Sequence, residues 1–513
     1  MKFQLYCIVF FLLFSSQQGV SQSKKSYKYS SKRASTVRKK VRANIQLLRA
    51  LELIKKQDYQ EGSKQLFSIS QSSRYKNRRS EIRYQLGVAL LRMGLLSSAS
   101  FQFLSVVKRG NRHYTRLSLE RLSEIAARVG NEQIIQFAIQ QGGARKVKGK
   151  YRDALYFQFG KYEMNKRSYR KAASYLNRVS FSSTVYDKAM YNLGLSYAEQ
   201  RKNREAVRAF SKILSKNKKI TDQVRVAALM GTARVYYQAK KWDLAIRYYR
   251  QIPRDTSFWH DMLFENSWAL LRAGKFRSAL NGFQTLHSDY YDDVYQPGSL
   301  LLRAIIYMYI CKYDEMEKML TLFKRTYSPV HGRVRGILSS SSSLYYSKLL
   351  RSLKGDGGDF PMVIAQRIYR EGDFNWLHMY IESLQSERNT IKRLPYSWRA
   401  SKAGQYALRL VDENLRKSQR QVNQVIRRHL SFFQKELNDF VNQEKYLRYE
   451  SLRGKREQLK KKITAKHLGS VQIIEGTSRD FFVQNGFEFY PFRGEYWLDE
   501  LGNYHYVGTQ SCR

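Results

Sequence analysis

MYNLGLSYAEQRKNREAVRAFSKI, residues 190–213, decides how this chain is read. Its apolar residues recur at three and four, the period of an α-helix, on both sides of a short turn. After the turn come Ala206, Phe210 four residues on, and Ile213 three beyond that. The same layout stands in Arg83–Val106 (Ala99, Phe103, Val106), Leu229–Ile252 (Ala245, Tyr249, Ile252) and Leu263–Leu286 (Ala279, Phe283, Leu286). Weaker copies are carried by Tyr59, Gly62, Leu66 and Ile69, by Tyr169, Ala172, Leu176 and Val179, and by Tyr313, Met316, Leu320 and Phe323. The equivalent positions 62, 99, 172, 206, 245, 279 and 316 lie 37, 73, 34, 39, 34 and 37 residues apart. The double-length gap leaves room for one degenerate copy near Leu119–Gln140, so about eight helical hairpins are expected over residues 41–328.

This pattern resembles the tetratricopeptide (TPR) family, whose repeat is about 34 residues long. Leu86-Gly87 and Leu193-Gly194 stand where that family places its Leu-Gly pair, and Tyr197 and Tyr236 occupy its aromatic position. Small residues are needed where the two helices of a hairpin cross closely, and the large ones fill the gap to the neighbouring hairpin. The chain departs from the family where its closing proline is rare, Pro253 comes early, and Met316 replaces the small residue. The resemblance implies an all-α solenoid whose concave face, lined by first helices, holds a peptide or helix of another protein. Basic and aromatic residues on that face would suit an acidic or phosphorylated segment.

Outward from the repeats, the N-terminus reads as a secretion signal over residues 1–22: Lys2, the apolar run Leu5–Phe14, then small and polar residues, with cleavage between about Gly19 and Ser23. Cys7 lies inside the run, so no lipid anchor is expected there. Residues 23–40 form a basic, disordered tail; Lys24–Arg49 holds ten basic residues and no acid. No later segment is apolar over the roughly 18 residues of a membrane span. With 43% hydrophobic residues, 38 Tyr and 27 Phe, the rest has enough apolar surface to fold. The 92 Lys and Arg against 42 Asp and Glu leave a formal charge of +50, a field that draws anionic partners. Export argues against nucleic acid and leaves acidic proteins of an envelope complex, anionic envelope polymers or lipid headgroups. A lineage with a basic proteome would give the same number. Of the cysteines, Cys311 and Cys512 would remain after cleavage; a disulfide between them is one reading, and a buried thiol at Cys311 is preferred.

Past the repeats, a break is expected at Tyr327–Pro329, then an irregular helical region over residues 329–396. Residues 397–467 are proline-free, with Leu408, Val411, Leu415, Val422, Ile426, Phe433, Leu437, Phe440 and Leu447 in one stripe, a long amphipathic helix or helical pair. It ends in the basic stretch Arg453–Lys466, a solvated helix end or a binding site. Residues 468–513 turn aromatic and β-rich, with β-prone runs such as Val471–Ile474 and Phe487–Tyr490 between glycines. The candidate interaction residues Gly494, Glu495, Tyr496, Trp497, Asp499 and Glu500 lie there, a cluster of acids in a basic chain. This end is similar to that of envelope TPR proteins in gliding or predatory bacteria, which implies an envelope-spanning assembly of the adventurous gliding-motility kind. The acids would otherwise dock internally on the basic long helix.

Catalytic and metal signatures are sparse. The eight histidines show no His-Glu-x-x-His spacing, and neither a phosphate-cradling glycine loop nor a Gly-x-Ser-x-Gly elbow occurs. His287, Asp289, Asp292 and Asp293 cluster and form the one cation candidate, against the plainer reading of solvated loop acids. Exported basic superhelices also occur in soluble lytic transglycosylases, but their combination of a Glu-Ser motif with a Gly-x-Met-Gln segment is missing; Glu495 with Asp499 is the only acid pair to consider. The expectation is therefore an exported, non-enzymatic scaffold with no cofactor and no metal, located in the periplasm or envelope. The alternative is direct binding of an anionic envelope polymer, peptidoglycan or lipopolysaccharide.

Overall fold

A computed structural model describes residues 45–109, 112–129, 138, 152–215, 222–291, 294–340 and 344–467. Every secondary-structure element among them is helical. Helical hairpins follow one another: α1 (45–55) with α2 (Tyr59–Gln71), α3 (Arg79–Arg92) with α4 (Leu96–Arg109), then α5 (Arg112–Val129), the first helix of the third. The fourth to seventh pair α6 (Arg152–Asn165) with α7 (Tyr169–Leu176), α8 (Tyr186–Glu199) with α9 (Asn203–Leu214), α10 (Gln223–Gln238) with α11 (Trp242–Tyr249), and α12 (Trp259–Arg272) with α13 (Phe276–Thr285). The eighth pairs α14 (Pro297–Tyr309) with α15 (Tyr313–Ser339).

One turn recurs in seven of these hairpins. Gln57, Gly94, Arg167, Arg201, Lys240, Gly274 and Cys311 all have φ between 57° and 79°, and each stands five residues before the small or Met residue of the repeat. The left-handed residue ends the first helix in a Schellman motif: Lys202 N–H donates to Tyr197 O (2.9 Å), Lys241 N–H to Tyr236 O (2.9 Å) and Lys275 N–H to Leu270 O (2.9 Å). The second helix starts at once, with Ala206 N–H donating to Lys202 O and Ala245 N–H to Lys241 O. The family's aromatic position is thus the residue whose carbonyl closes the turn.

The crossing is equally regular. Twelve residues before each repeat's small position stands another small residue, Ala50, Gly87, Gly160, Gly194, Ala233, Ser267 or Ala304, and all are buried. A methyl group on Gly87 would lie 2.7 Å from the Phe103 ring, and one on Gly160 would lie 2.5 Å from Leu176; Gly194 faces Phe210 in the same way. The residue that fills the crossing is therefore the large one of the second helix. Ala126 and Ala138, both buried and twelve apart, mark the third, degenerate copy.

The helices after the repeats differ from expectation. Pro329 does not break the chain: α15 runs through it to Ser339, because Phe323, Tyr327, Val334 and Ile337 all stay buried and their packing outweighs the one hydrogen bond that proline removes. Residues 344–399 fold into α16 (Tyr345–Lys354), α17 (Met362–Arg370), the 22-residue α18 (Gly372–Arg393) and the short α19 (Tyr396–Arg399). A single 66-residue helix follows, α20 (Lys402–His467), about 100 Å long at 1.5 Å per residue. The expected β-rich segment falls on residues 468–513, outside the described residues, as do the signal and the basic tail of residues 23–40.

Helix α20 joins the two ends of the repeat array. Near its start Tyr406 packs on Phe67 of α2 (5.1 Å between rings) and on Phe101 of α4 (6.1 Å). Just before it, the wholly buried Trp398 donates from Nε1 to Ser63 Oγ of α2 (2.9 Å). At the far end, Phe433 packs on Tyr295 (5.2 Å), Glu436 accepts from Tyr295 Oη (2.9 Å), and Lys455 pairs with Asp314 (2.8 Å). In the repeats, Trp242 packs on Arg272 of the next hairpin (5.5 Å) and Phe276 stacks on Tyr309 of the next (5.8 Å). Tyr313 is the same position in the last repeat, and it lies where a side chain on Gly454 of α20 would be. Helix α20 thus takes the place of a ninth first helix and caps the stack.

A buried carboxylate fixes the other clasp. Glu387 of α18, 3% exposed, accepts from the Ser97 and Ser98 backbone N–H groups (2.6 and 3.1 Å) and from Ser98 Oγ (2.7 Å). These N–H groups open α4 and have no partner in their own helix, so residue 387 caps a helix almost 300 positions away in sequence. Burial pushes the Glu387 carboxyl above its usual range, against the hydrogen bonds that favour its charged form.

Two outcomes are expected from urea or thermal unfolding. Lys240→Gly relieves the left-handed strain and stabilises by about 1 kcal/mol, whereas Gly94→Ala costs about as much. Glu387→Ala leaves the α4 donors buried and unmet and costs about 2 kcal/mol; an unchanged midpoint would show that the clasp carries no stability.

Candidate interaction surface

The repeat positions Leu86, Gly87, Ala99, Phe103, Ala172, Leu193, Gly194, Ala206, Phe210, Ala245, Tyr249, Ala279 and Phe283 are buried, and Tyr197 is half-buried. They are occupied with packing. What a ligand can reach is the row that follows: the residue immediately after the small one of each first helix, Lys161 in α6, Leu195 in α8, Arg234 in α10 and Trp268 in α12. None of the four is in the buried class.

Electrostatic contacts tie this row across the hairpins. Lys161 lies over the Phe157 ring (5.6 Å to its centroid), and burial together with the nearby Lys188 of α8 pushes its ammonium down to about 8. Tyr191 of α8 sits near Arg234, and burial raises its phenol. Arg234 forks onto Glu265 of α12 with Nε and Nη2 (2.8 and 2.6 Å), and Glu265 also accepts from Tyr249 Oη (2.9 Å). Arg234 is therefore held rigid with about half its surface open, 51%. At α12 the row meets the C-terminal region: Arg370 of α17 reaches His260 Nε2 (3.2 Å), and, although burial works against it, His260 and the Arg367 charge hold the Asp261 carboxyl below its usual range. The C-terminal helices rest chiefly on the first three repeats and the eighth, so the first helices of repeats four to six carry the accessible part of the row.

An anion set between Lys161 and Lys188 would relieve their repulsion, with the half-buried Tyr191 on the same helix as Lys188; Phe157, beneath Lys161, is buried in the core. Sequence reading missed these residues because it sought the buried positions; the available signal was their place one residue beyond Gly160 and Ala233. Gly494, Glu495, Tyr496, Trp497, Asp499 and Glu500 lie outside the described residues.

Two sequence expectations are revised or narrowed. Cys311 is not a buried thiol: it is half-buried and disulfide-bonded, with its partner cysteine outside the described residues. His287 is turned inward, its Nε2 2.5 Å from Ser299 Oγ, and burial beside Arg303 pushes its imidazole down to about 3. It stays neutral and serves the fold. Asp292 and Asp293 are outside the described residues, and among the described ones no group of three metal-ligating side chains gathers. No helix among them is long and apolar enough to cross a membrane.

The tetratricopeptide repeat family model matches residues 191–258. No curated protein is similar to this sequence. Among solved structures, the Rap conjugation gene regulator of the plasmid pLS20, in complex with a Phr peptide, is 12% identical with a TM-score of 0.27, over 64% of this chain and 96% of that one. A Rap protein complexed with competence and sporulation factor is 11% identical with a TM-score of 0.28, over 74% and 99%. The P58(IPK) TPR domain is 10% identical with a TM-score of 0.19, over 72% and 99%. Residues 191–258 thus match the tetratricopeptide repeat model, and the recurring left-handed turn and small-against-large crossing carry the same hairpin packing through the other repeats.

Proposed function

We propose that this protein is an exported scaffold that binds an acidic or phosphorylated segment of a partner protein along the first helices of repeats four to six, within a bacterial envelope assembly serving motility. The observation that carries this reading is the patch of Lys161, Lys188 and Tyr191, beside Arg234, on the part of the solenoid that the C-terminal helices leave accessible. TPR solenoids are interaction scaffolds, and Lys161 and Lys188 supply positive charge with the Tyr191 ring nearby, the chemistry for a carboxylate-rich or phosphorylated chain. The signal-like N-terminus and the aromatic C-terminal end support export and the envelope.

A second reading is favoured by the charge. An excess of +50, with Arg453–Lys466 at one end of α20, suits direct binding of an anionic envelope polymer. The two separate by salt in degree, because binding through many exposed cations is screened strongly while a contact to the half-buried Lys161 is screened much less.

Affinity capture from an envelope extract, washed at low and high salt and followed by mass spectrometry, is the test. A defined protein retained at high salt, and lost about tenfold in the Lys161→Glu, Lys188→Glu variant, is the expected result. Glycan or lipid alone, released as salt rises, would overturn the scaffold reading. Binding is also expected to weaken as pH rises through about 8, where the free protein's Lys161 gives up its charge. A flat profile from pH 7 to 9.5 would remove Lys161 from the site.

A further inference from the structure

Helix α20 continues beyond the surface that seats it. Gln458 donates to Cys311 O (3.0 Å), Gly454 meets Tyr313, and Tyr313 Oη lies 3.8 Å from Cys311 Sγ. On the flank beside this contact, Tyr449, Leu452, Leu459 and Ile463 are 64%, 64%, 60% and 58% exposed. At 3.6 residues per turn they fall within an arc of about 80°, one apolar stripe. Arg453, Arg456, Lys460 and Lys461 stand among them. A stripe of four large apolar side chains edged by cations calls for a cover.

The chain supplies one of the right length, place and charge. Residues 468–513 begin where α20 ends. In a chain of net charge +50, this segment has Glu475, Asp480, Glu488, Glu495, Asp499 and Glu500 against Arg479, Arg493 and Arg513. Its aromatic residues include Phe487, Phe489, Tyr490, Tyr496 and Trp497. Moreover, Cys311 is disulfide-bonded, and the only other cysteines are Cys7 and Cys512. Cys7 sits in the apolar run read as a cleaved signal, whereas Cys512 belongs to the segment that leaves the helix touching Cys311. From Gln458 to the end of α20 is about 14 Å, a distance that the residues from 468 to 512 cover many times over.

We propose that residues 468–513 fold back along α20, set their aromatic residues on the Tyr449–Ile463 stripe and their acids against its cations, and are pinned by a disulfide between Cys311 and Cys512. The bond forms by exchange with a small-molecule or protein disulfide. One thiolate attacks that oxidant and releases its first thiol; the second thiolate displaces the mixed disulfide and releases the other. The two cysteines lose two protons and two electrons, and the oxidant becomes two thiols. The segment's acidic, aromatic cluster is then committed within the chain, and the clasp that holds α20 on the last repeat is locked covalently.

The test uses the full chain and no partner. Protease digestion without reductant, read by mass spectrometry, should yield a peptide pair joining Cys311 to Cys512 that separates on reduction. Amide exchange over residues 449–463 should rise severalfold on reduction or in Cys512→Ser, and also in the triple variant Glu495→Lys, Asp499→Lys, Glu500→Lys with the disulfide intact. Because these changes lie beyond the solenoid, helical circular dichroism should remain. A Cys311–Cys7 link, a free Cys311 thiol, or exchange unchanged in Cys512→Ser would overturn the proposal. So would a dimer in sedimentation that Leu452→Gln, Leu459→Gln dissolves, which would assign the stripe to a second copy.

Discussion

Everything in the array depends on how closely the two helices of a hairpin can cross. Where Gly87, Gly160 or Gly194 meets Phe103, Leu176 or Phe210, no space remains for even a methyl group. The left-handed turn residue, fixed five positions ahead of the second helix's small residue, sets the entry angle that makes this meeting possible. Turn and crossing are thus two ends of one constraint: shifting either by a residue would rotate the large side chain out of the gap. Only Gly94 and Gly274 adopt the turn without a side-chain penalty; Arg167, Arg201 and Lys240 adopt it against their preference, so packing must exceed the strain at each.

A stack of hairpins joined only to their neighbours has two raw ends and no long-range coupling. Helix α20 changes that. It meets Tyr313 as a further first helix would, and the same rigid element reaches back to Phe67 and Phe101. The core accordingly runs from Leu47 through the C-terminal helices to Leu447, while Phe157 to Val235 forms a second core in the middle of the array. Opening the first repeats would therefore disturb α20 and, through it, the eighth. Glu387 marks how far this closure goes: a carboxylate is taken out of water to cap a helix of the second repeat, a cost met only because three donors were waiting there.

The charge is spread over this frame unevenly. Arg234 is spent on Glu265, binding one first helix to the next. Lys161 is half-buried near Lys188, and its pKa is lowered first by burial and then by the Lys188 charge, both of which a bound anion would relieve. The middle repeats, least involved with the C-terminal helices, are where that relief remains available.

The repeat was legible in the residues themselves because its cause is local. The spacing of Ala206, Phe210 and Ile213, repeated at Ala99, Ala245 and Ala279, follows from helical geometry within a single hairpin, so each copy states it anew. The stripe from Val411 to Leu447 announced a long amphipathic helix for the same reason. Tertiary structure alone decided what had no local cause: that α15 runs through Pro329, that α20 is one helix lying across both ends of the array, and that Glu387 serves Ser97 and Ser98. It also decided that Lys161 and Lys188, from neighbouring repeats, share one patch. Hairpin periodicity is written into consecutive residues, whereas a contact across hundreds of positions depends on the accumulated twist of every hairpin between them, which no single spacing records.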